Sequence, residues 1–222
     1  IIKNKNILEI GCGSGRFTEY LSKYGKSCTS IDLSDAIYQN VCKNNKNVNL
    51  IKADFLKLKL KKKFDVVFCR GVLQHTKFPT KSILKLFEYI NHDGVVIFDF
   101  YKKPKIGFLH PKYLIWRPFI KNFIRYETYE KFLINNISFL LYIKRKIDII
   151  FFKKRFFSDS IIPIWDYYDE LGLTKEQYLN LSLLDTMDGI YANYDKPYSF
   201  NKIKNILIKN NKLILKSNKK NY

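Results

Sequence analysis

A glycine-rich turn near the start of the chain is the strongest sign of chemistry in the sequence. The stretch Leu8-Glu9-Ile10-Gly11-Cys12-Gly13-Ser14-Gly15 places three glycines at G-x-G-x-G spacing directly after strand-type residues. Glycine allows a sharp turn and lets a ligand approach bare backbone ahead of a helix. The spacing differs from the G-x-G-x-x-G of dinucleotide dehydrogenases, and an acidic residue precedes the glycines. The turn therefore predicts a ligand site that includes Glu9, Gly11, Gly13 and Gly15.

Acidic residues follow the next two predicted strands. Asp32 lies 17 residues past Gly15, where an acceptor for ribose hydroxyls is expected. A helix-capping role for Asp32 is the alternative, but Ser34 and Asp35 already serve that purpose. The third strand runs into Ala53-Asp54-Phe55, which offers a carboxylate for an exocyclic amine and an aromatic face for a base. Three strand ends are thus predicted to converge on one nucleoside.

Short apolar runs alternate with amphipathic stretches between residues 6 and 101, which is typical of βα units around a parallel sheet. The same stretches show apolar spacing of three and four residues between the runs, as helices covering a sheet do. The predicted strands are Ile7–Ile10, Ser27–Ile31, Val48–Ile51, Phe64–Phe68 and Val95–Phe100, and the predicted helices are Arg16–Tyr24, Asp35–Lys43 and Thr80–Ile90.

The segment after residue 103 has a different character, aromatic and basic, and lacks strand alternation. Lys112–Phe157 is expected to be largely helical. A capping box of Thr174 and Gln177 predicts a helix over Thr174–Leu183. Another helix is expected at Ser199–Lys209, and a final strand at Lys212–Lys216. We therefore expect a core at residues 1–103, a helical insertion or cap at 104–184, and a C-terminal return to the sheet at 185–222.

Five stretches of the chain together resemble, in order and spacing, the motifs of class I S-adenosylmethionine-dependent methyltransferases. The match covers roughly residues 6–101. The resemblance implies an α/β fold, a Rossmann-like doubly wound and mostly parallel sheet with a helical insertion after the fifth strand. It also implies S-adenosylmethionine as the cofactor. The five stretches are LEIGCGSGRF, SIDLSDA, IKADFL, FDVVFCRGVLQHT and INHDGVVIFDF.

The same resemblance implies roles for individual residues at the cofactor site. The three glycines would hold the methionine portion, and Asp32 would bind the ribose. Leu33 and Phe55 would flank adenine, and Asp54 would bond its amino group. Glu9 and Arg70 would complete the cofactor contacts. No metal is expected, because the four cysteines lack C-x-x-C spacing.

A base is useful if the methyl acceptor is a hydroxyl, and His75 is the candidate. It lies in the loop after the fourth strand, at the carboxyl edge where the substrate should come. The alternative is a structural histidine that orients Gln74 or the cofactor. His92 is expected to be a solvent-facing turn residue before the fifth strand. No role is inferred for His110.

The stretch from Asp185 to Tyr194 also resembles a segment found late in a subgroup of these enzymes, often from polysaccharide and secondary-metabolite pathways. Asp188 and Tyr194 fit that pattern, while Gly189 and Ile190 replace an aromatic pair. Gln74, Asp188 and Tyr194 are therefore the candidate substrate contacts. The expected activity is methyl transfer to a small-molecule or glycan-type acceptor.

The formal charge of +20 raises two alternatives, an RNA methyltransferase and a peripheral membrane contact of the aromatic-basic segment. Only 6 of the 40 basic residues are Arg, and the lysines are scattered, which favours compositional drift. A helical cap over the active site is the simpler interpretation of the aromatic segment. A non-catalytic scaffold that keeps the fold is a third alternative. A cytoplasmic protein without a transmembrane segment is expected, since charges interrupt the most apolar stretch.

Overall fold

The chain divides into two compact units. In a computed structural model, residues 1–101, 110–151, 155–168 and 172–212 are described. The first unit comprises Ile1–Lys102 with Tyr194–Tyr222, and the second comprises Lys103–Asn193.

A five-stranded parallel sheet forms the centre of the first unit, in the order β3-β2-β1-β4-β5. This architecture confirms the Rossmann-like α/β prediction. The chain leaves β1 toward β2 and β3 on one side and returns to β4 and β5 on the other, so the strand order reverses between β1 and β4. Ligands of open α/β sheets bind at the carboxyl ends of strands at such a point. The strands are β1 (Asn6–Ile10), β2 (Ser27–Asp32), β3 (Val48–Lys52), β4 (Phe64–Cys69) and β5 (Ile90–Phe98).

The central strands are apolar because both faces of the sheet are covered. Ile7, Leu8 and Ile10 on β1 are buried, and so are Val66 and Val67 on β4. Three helices of the unit are α1 (Thr18–Tyr24), α2 (Pro79–Leu86) and α7 (Phe200–Lys209). Two short 3-10 helices, Asp35–Gln39 and Leu73–His75, lie at the sheet's carboxyl edge, after β2 and β4.

The helix predicted for Asp35–Lys43 is wrong beyond its first turn. Only Asp35–Gln39 forms a helical turn, of 3-10 type. Asn40 leaves the helical region at φ −59° and ψ 125°. Its buried side chain accepts a hydrogen bond from the Cys42 backbone N–H at 3.0 Å. A side chain that bonds its own backbone two residues ahead offers an alternative to helical hydrogen bonds.

The end of the helix between β4 and β5 and the start of β5 also differ from the prediction. The helix predicted for Thr80–Ile90 ends at Leu86, and β5 begins at Ile90 instead of Val95. Ile90 pairs with Phe64, and the register then shifts before the next pair. His92 lies in this irregular part of the strand and is fully exposed, so its expected solvent exposure is confirmed.

The second unit is helical in its described part, as predicted for most of Lys112–Phe157. Its longest helix, α4, buries Tyr129, Leu133, Ile137 and Leu141 at four-residue spacing in the core of the unit. After a π-helical turn at Lys112–Trp116, the α-helices are α3 (Arg117–Phe123), α4 (Tyr126–Ile150), α5 (Arg155–Ile161) and α6 (Lys175–Tyr191). No helix in the described ranges is long and apolar enough to cross a membrane.

The helix predicted for Thr174–Leu183 is confirmed and continues to Tyr191. Its capping box is present, with the Thr174 side chain accepting from the Gln177 N–H. The predicted division at residues 184 and 185 falls inside this continuous helix, and the second unit extends to Asn193. The helix predicted at Ser199–Lys209 is confirmed, with Ser199 at its N-cap. Most of the strand predicted for Lys212–Lys216 lies outside the described residues.

Candidate functional site

The glycine loop after β1 packs closely against Val72 at Gly11 and has open space at Gly13. Gly11 has φ +78°, and a Cβ there would lie 2.1 Å from Cγ2 of Val72, in the loop after β4. Gly13 has φ +49°, and nothing lies within 4 Å of its would-be Cβ. Both backbone conformations favour glycine. The loop therefore packs against the β4 loop at Gly11 and leaves bare backbone accessible at Gly13.

Asn40 supports this loop from behind and was missed by the sequence analysis. Its side chain is buried, and Nδ2 donates to the Gly13 carbonyl at 3.4 Å and to the Thr18 hydroxyl at 3.1 Å. Its Oδ1 would lie 2.6 Å from a Cβ on Gly15. Asparagine is common in turns for many reasons, so nothing in the local sequence distinguished this one.

Glu9 is buried just before the loop, and only one of its two carboxyl oxygens has hydrogen-bond partners among the described residues. The Thr18 and Ser30 hydroxyls each donate to its Oε2 at 2.7 Å. Its Oε1 is buried and has no hydrogen-bond partner among the described residues. Burial raises the pKa of the Glu9 carboxyl, and the two hydroxyl bonds oppose that rise. An unpaired buried carboxylate oxygen is costly, and a cationic ligand group would satisfy it.

Asp32 connects the end of β2 to the glycine loop. Its Oδ2 accepts from the Gly13 N–H at 2.7 Å. Its Oδ1 accepts from the Ser34 N–H at 2.8 Å and from the Ser34 hydroxyl at 2.7 Å. A carboxylate has about four acceptor positions, so a ligand hydroxyl can still bond here. The carboxylate thus both shapes the loop and stays available at the strand end.

The predicted adenine contacts differ in exposure. Leu33 is 69% exposed after β2. Asp54 is half-buried, and its Oδ1 accepts from the Leu56 N–H at 2.9 Å. Phe55 is only 7% exposed and belongs to the core of the unit. Leu33 and Asp54 are open to a ligand, whereas an adenine contact of Phe55 stays a prediction that its core packing does not favour.

Arg70 begins the loop after β4, together with Gly71. Asp99 just beyond β5 holds both: its Oδ2 pairs with Arg70 Nε at 3.3 Å, and its Oδ1 accepts from the Gly71 N–H at 2.7 Å. The guanidinium lies 5.0 Å from the ring centroid of Phe17. Arg70 is exposed at the carboxyl edge, and its contact with a cofactor stays a prediction. Asp99 was missed by the sequence analysis.

His75 has a defined orientation. Its Nδ1 lies 3.0 Å from the Tyr194 carbonyl oxygen, and its ring meets the Tyr101 ring edge to face at 5.5 Å. A carbonyl oxygen only accepts, so Nδ1 carries the hydrogen and the neutral ring keeps its lone pair on Nε2. Nε2 is buried and has no partner among the described residues. This arrangement leaves a basic nitrogen unpaired.

The segment at residues 194–196 holds the β4 loop at three points. Besides the Tyr194 carbonyl, the Lys196 N–H donates to the Gln74 carbonyl at 2.9 Å, and Lys196 Nζ donates to the Lys77 carbonyl at 2.9 Å. The Gln74 side chain is fully buried, and neither of its amide atoms has a partner in the described part of the chain. Two of the three candidate substrate contacts, Gln74 and Tyr194, are thus brought together with His75.

Asp188, the third candidate substrate contact, belongs to the second unit and is exposed on α6. Beside it, Gly189 is required by Trp165, because a Cβ on Gly189 would lie 2.3 Å from the indole ring. The same indole also contacts Lys112, whose Nζ lies 2.9 Å from the ring centroid. The glycine that departs from the family pattern therefore makes room for an aromatic ring from elsewhere in the same unit.

Comparisons with known proteins match part of the chain. The family model "Methyltransferase domain" matches residues 8–98, which include the glycine loop, Asp32 and His75. The match covers less than half of the chain, and this part of the chain is similar to a methyltransferase domain. The match ends with β5 and does not extend to the second unit.

Individual relatives share part of the chain. A ubiquinone biosynthesis O-methyltransferase of Rickettsia bellii is 30% identical over 141 residues, which is 60% of this chain and 57% of that protein. The protein of the same name from Coxiella burnetii is 30% identical over 104 residues, 44% of each chain. The N-methyltransferase NodS from Bradyrhizobium japonicum WM9, solved with S-adenosylhomocysteine, is 24% identical, covers 46% of this chain and 55% of that chain, and has a TM-score of 0.42. The chain thus spans somewhat over half of the first relative.

Proposed function

We propose that the chain transfers a methyl group from S-adenosylmethionine to a hydroxyl of a small-molecule acceptor, with His75 as the general base. The observation that carries the proposal is the tautomer of His75, because its Nδ1–H donates to the Tyr194 carbonyl and its Nε2 is left unpaired. An imidazole in this state can accept a proton without rearranging.

The residues around the glycine loop fit the cofactor. Bare backbone at Gly13 is open to the methionine portion, and Asp32 has acceptor capacity left for ribose hydroxyls. The unpaired Oε1 of Glu9 would favour a positively charged group near the loop. Leu33 and Asp54 lie at the strand ends where the adenine of such a nucleoside would be held.

The chemistry asks little of the protein beyond positioning and one proton transfer. S-adenosylmethionine would supply a methyl carbon that its sulfonium makes electrophilic, and its sulfur would leave as the thioether of S-adenosylhomocysteine when the C–S bond gives way to the new C–O bond. His75 Nε2 would take the proton of the acceptor hydroxyl, and the Tyr194 carbonyl would stabilise the ring's Nδ1–H as positive charge develops. The segment from Tyr194 to Lys196 keeps the ring in place through its bonds to the β4 loop. Alignment of acceptor and methyl supplies the remaining acceleration.

A small-molecule hydroxyl is the acceptor class that the relatives favour. The curated relatives are named for O-methyl transfer in ubiquinone biosynthesis. A glycan-type acceptor, suggested by the stretch from Asp185 to Tyr194, is the second option. The scattered lysines do not favour RNA. Methyl transfer from labelled cofactor to phenolic small molecules, glycans and RNA, compared side by side, distinguishes these classes.

The decisive variant is His75→Asn, because an Asn amide can still donate to the Tyr194 carbonyl but offers no basic nitrogen. We expect turnover to fall about 10²–10⁴-fold while the dissociation constant of S-adenosylmethionine stays unchanged. His92→Asn is the matched control, since His92 is fully exposed and far from the β4 loop in sequence. Near-normal turnover of His75→Asn would remove the base. Failure of the wild-type protein to bind the cofactor in calorimetry would instead favour the non-catalytic scaffold.

A further inference from the structure

The outer face of α4 carries apolar side chains that the core of the second unit does not use. Phe139 is 62% exposed, Tyr142 57%, Ile149 65% and Ile150 68%. Phe132, Phe139, Tyr142 and Ile149 follow one another at spacings of seven, three and seven residues, and Ile150 lies eight residues after Tyr142, so these side chains share one side of the helix. The buried residues of α4 occupy the opposite side. The aromatic residues of this helix are therefore not all part of the core of the second unit.

The charge on this outer face has a single sign. Lys131 and Lys146 are exposed among the apolar residues, and Lys146 Nζ lies 5.3 Å from the Tyr142 ring. The only acid between residues 131 and 150 is Asp148, which is half-buried with Oδ1 shielded from solvent. The face thus presents apolar groups, two lysines and the polar residue Asn135, with no exposed carboxylate along about five helical turns.

An anionic lipid surface fits this combination better than the other occupants do. A second copy packed through the same face would bring identical lysines together. RNA would find two lysines and no exposed arginine on the face, which allows few phosphate contacts. Apolar side chains that enter the acyl boundary and lysines that reach the headgroups are the features of helices lying in a membrane interface.

We propose that α4 is a membrane-docking helix that lies in the interface of bilayers containing anionic lipids, through its outer face from Lys131 to Ile150. The helix lies in the interface and does not span the bilayer, because its opposite side is buried in the core of the second unit. The inference does not depend on methyl transfer, because it concerns the second unit alone.

The test is co-sedimentation of the full chain with vesicles of equal parts phosphatidylcholine and phosphatidylglycerol, compared with phosphatidylcholine alone. We expect binding to the anionic vesicles that weakens with salt. Phe139→Gln with Ile149→Gln should lower the partition coefficient at least tenfold. Lys131→Gln and Lys146→Gln should each lower it about fivefold. Leu184→Gln with Ile208→Gln is the matched control. Leu184 and Ile208 are exposed on other helices, α6 and α7, so these substitutions should not affect binding.

A spectroscopic readout covers the case in which the double variant folds poorly. Brominated acyl chains should quench the fluorescence of the tryptophan introduced by Tyr142→Trp, and they should not quench that of the tryptophan introduced by Leu184→Trp. The proposal is overturned if the wild type ignores anionic vesicles, or if the control pair weakens binding as much as the α4 pair. It is also overturned if light scattering shows a dimer that the α4 substitutions dissociate, since a second copy would then be the occupant.

Discussion

Gly11→Ala tests the contact that joins the glycine loop to the β4 loop. A Cβ at position 11 would lie 2.1 Å from Cγ2 of Val72, and valine is stiff at χ1, so it cannot turn aside freely. Gly13→Ala is the matched control, because Gly13 also has a positive φ but nothing within 4 Å of the added atom. The difference between the two variants isolates the steric contact from the backbone strain.

The expected magnitudes follow from these two terms. Left-handed backbone costs an L-residue about 1–2 kcal/mol, so Gly13→Ala should lower the free energy of unfolding by that amount. Overpacking adds about 1–3 kcal/mol at Gly11, for a total of about 2–5 kcal/mol. Val72→Ala removes both Cγ atoms and leaves Cβ at 3.4 Å from the added atom. The double variant should therefore recover about 1–3 kcal/mol relative to the sum of the single changes.

Urea unfolding of the wild type and the four variants measures these free energies, and calorimetry with S-adenosylmethionine measures the consequence for binding. Equal destabilisation by Gly11→Ala and Gly13→Ala would refute the steric argument. So would a double-mutant cycle with no coupling between positions 11 and 72. If the coupling is present, cofactor affinity should also recover partly in the double variant, because the loop returns toward its original path.

Two further predictions concern the same loop. Asp32→Asn should weaken S-adenosylmethionine binding about 10–100-fold in a titration, since an amide cannot accept from both Gly13 and Ser34 and also serve a hydroxyl, and hydrogen bonds to a charged acceptor are worth about 1.5–3 kcal/mol. Unchanged affinity would remove Asp32 from the site. Burial raises the pKa of Cys12 and of Cys28 from 9.0 to about 12, so the unfolded chain loses these protons first and stability should fall as pH rises from 9 toward 12. In urea unfolding above pH 9, Cys12→Ala should lessen that slope by about 1.4 kcal/mol per pH unit, and an unchanged slope would contradict the assigned burial.

The sheet could be predicted because its signals are local. The central strands β1 and β4 are short, mostly apolar runs, and the glycine turn after β1 marks the edge at which a cofactor is expected. The helix at Asp35–Lys43 was overpredicted for the opposite reason. Its amphipathic spacing is real, but the side chain of Asn40 forms hydrogen bonds with Gly13 and Thr18, which are distant in sequence. Periodicity carries no information about such bonds.

The candidate site divides along the same line. Strand-end residues such as Asp32 and the loop residue His75 could be predicted, since position relative to a strand is a sequence property. The groups that form hydrogen bonds with these residues could not be predicted. Tyr194 lies 119 residues from His75, and what holds the imidazole is its backbone carbonyl, a group that every residue carries. The tautomer of His75, and with it the proposed role as a base, therefore depends on a backbone contact that cannot be predicted from the type of residue at position 194.

The contact between Gly11 and Val72 connects the two halves of the proposed reaction. Gly11 belongs to the loop that would hold the cofactor, and Val72 lies three residues before His75 in the loop that would face the acceptor. Because well-packed side chains transmit displacement, a ligand that moves the glycine loop would also move the loop that carries the base. Substitutions at position 72 should therefore change turnover without touching either ligand. Gly11 leaves room for the Val72 side chain, so the two loops pack against each other at the point where the strand order reverses.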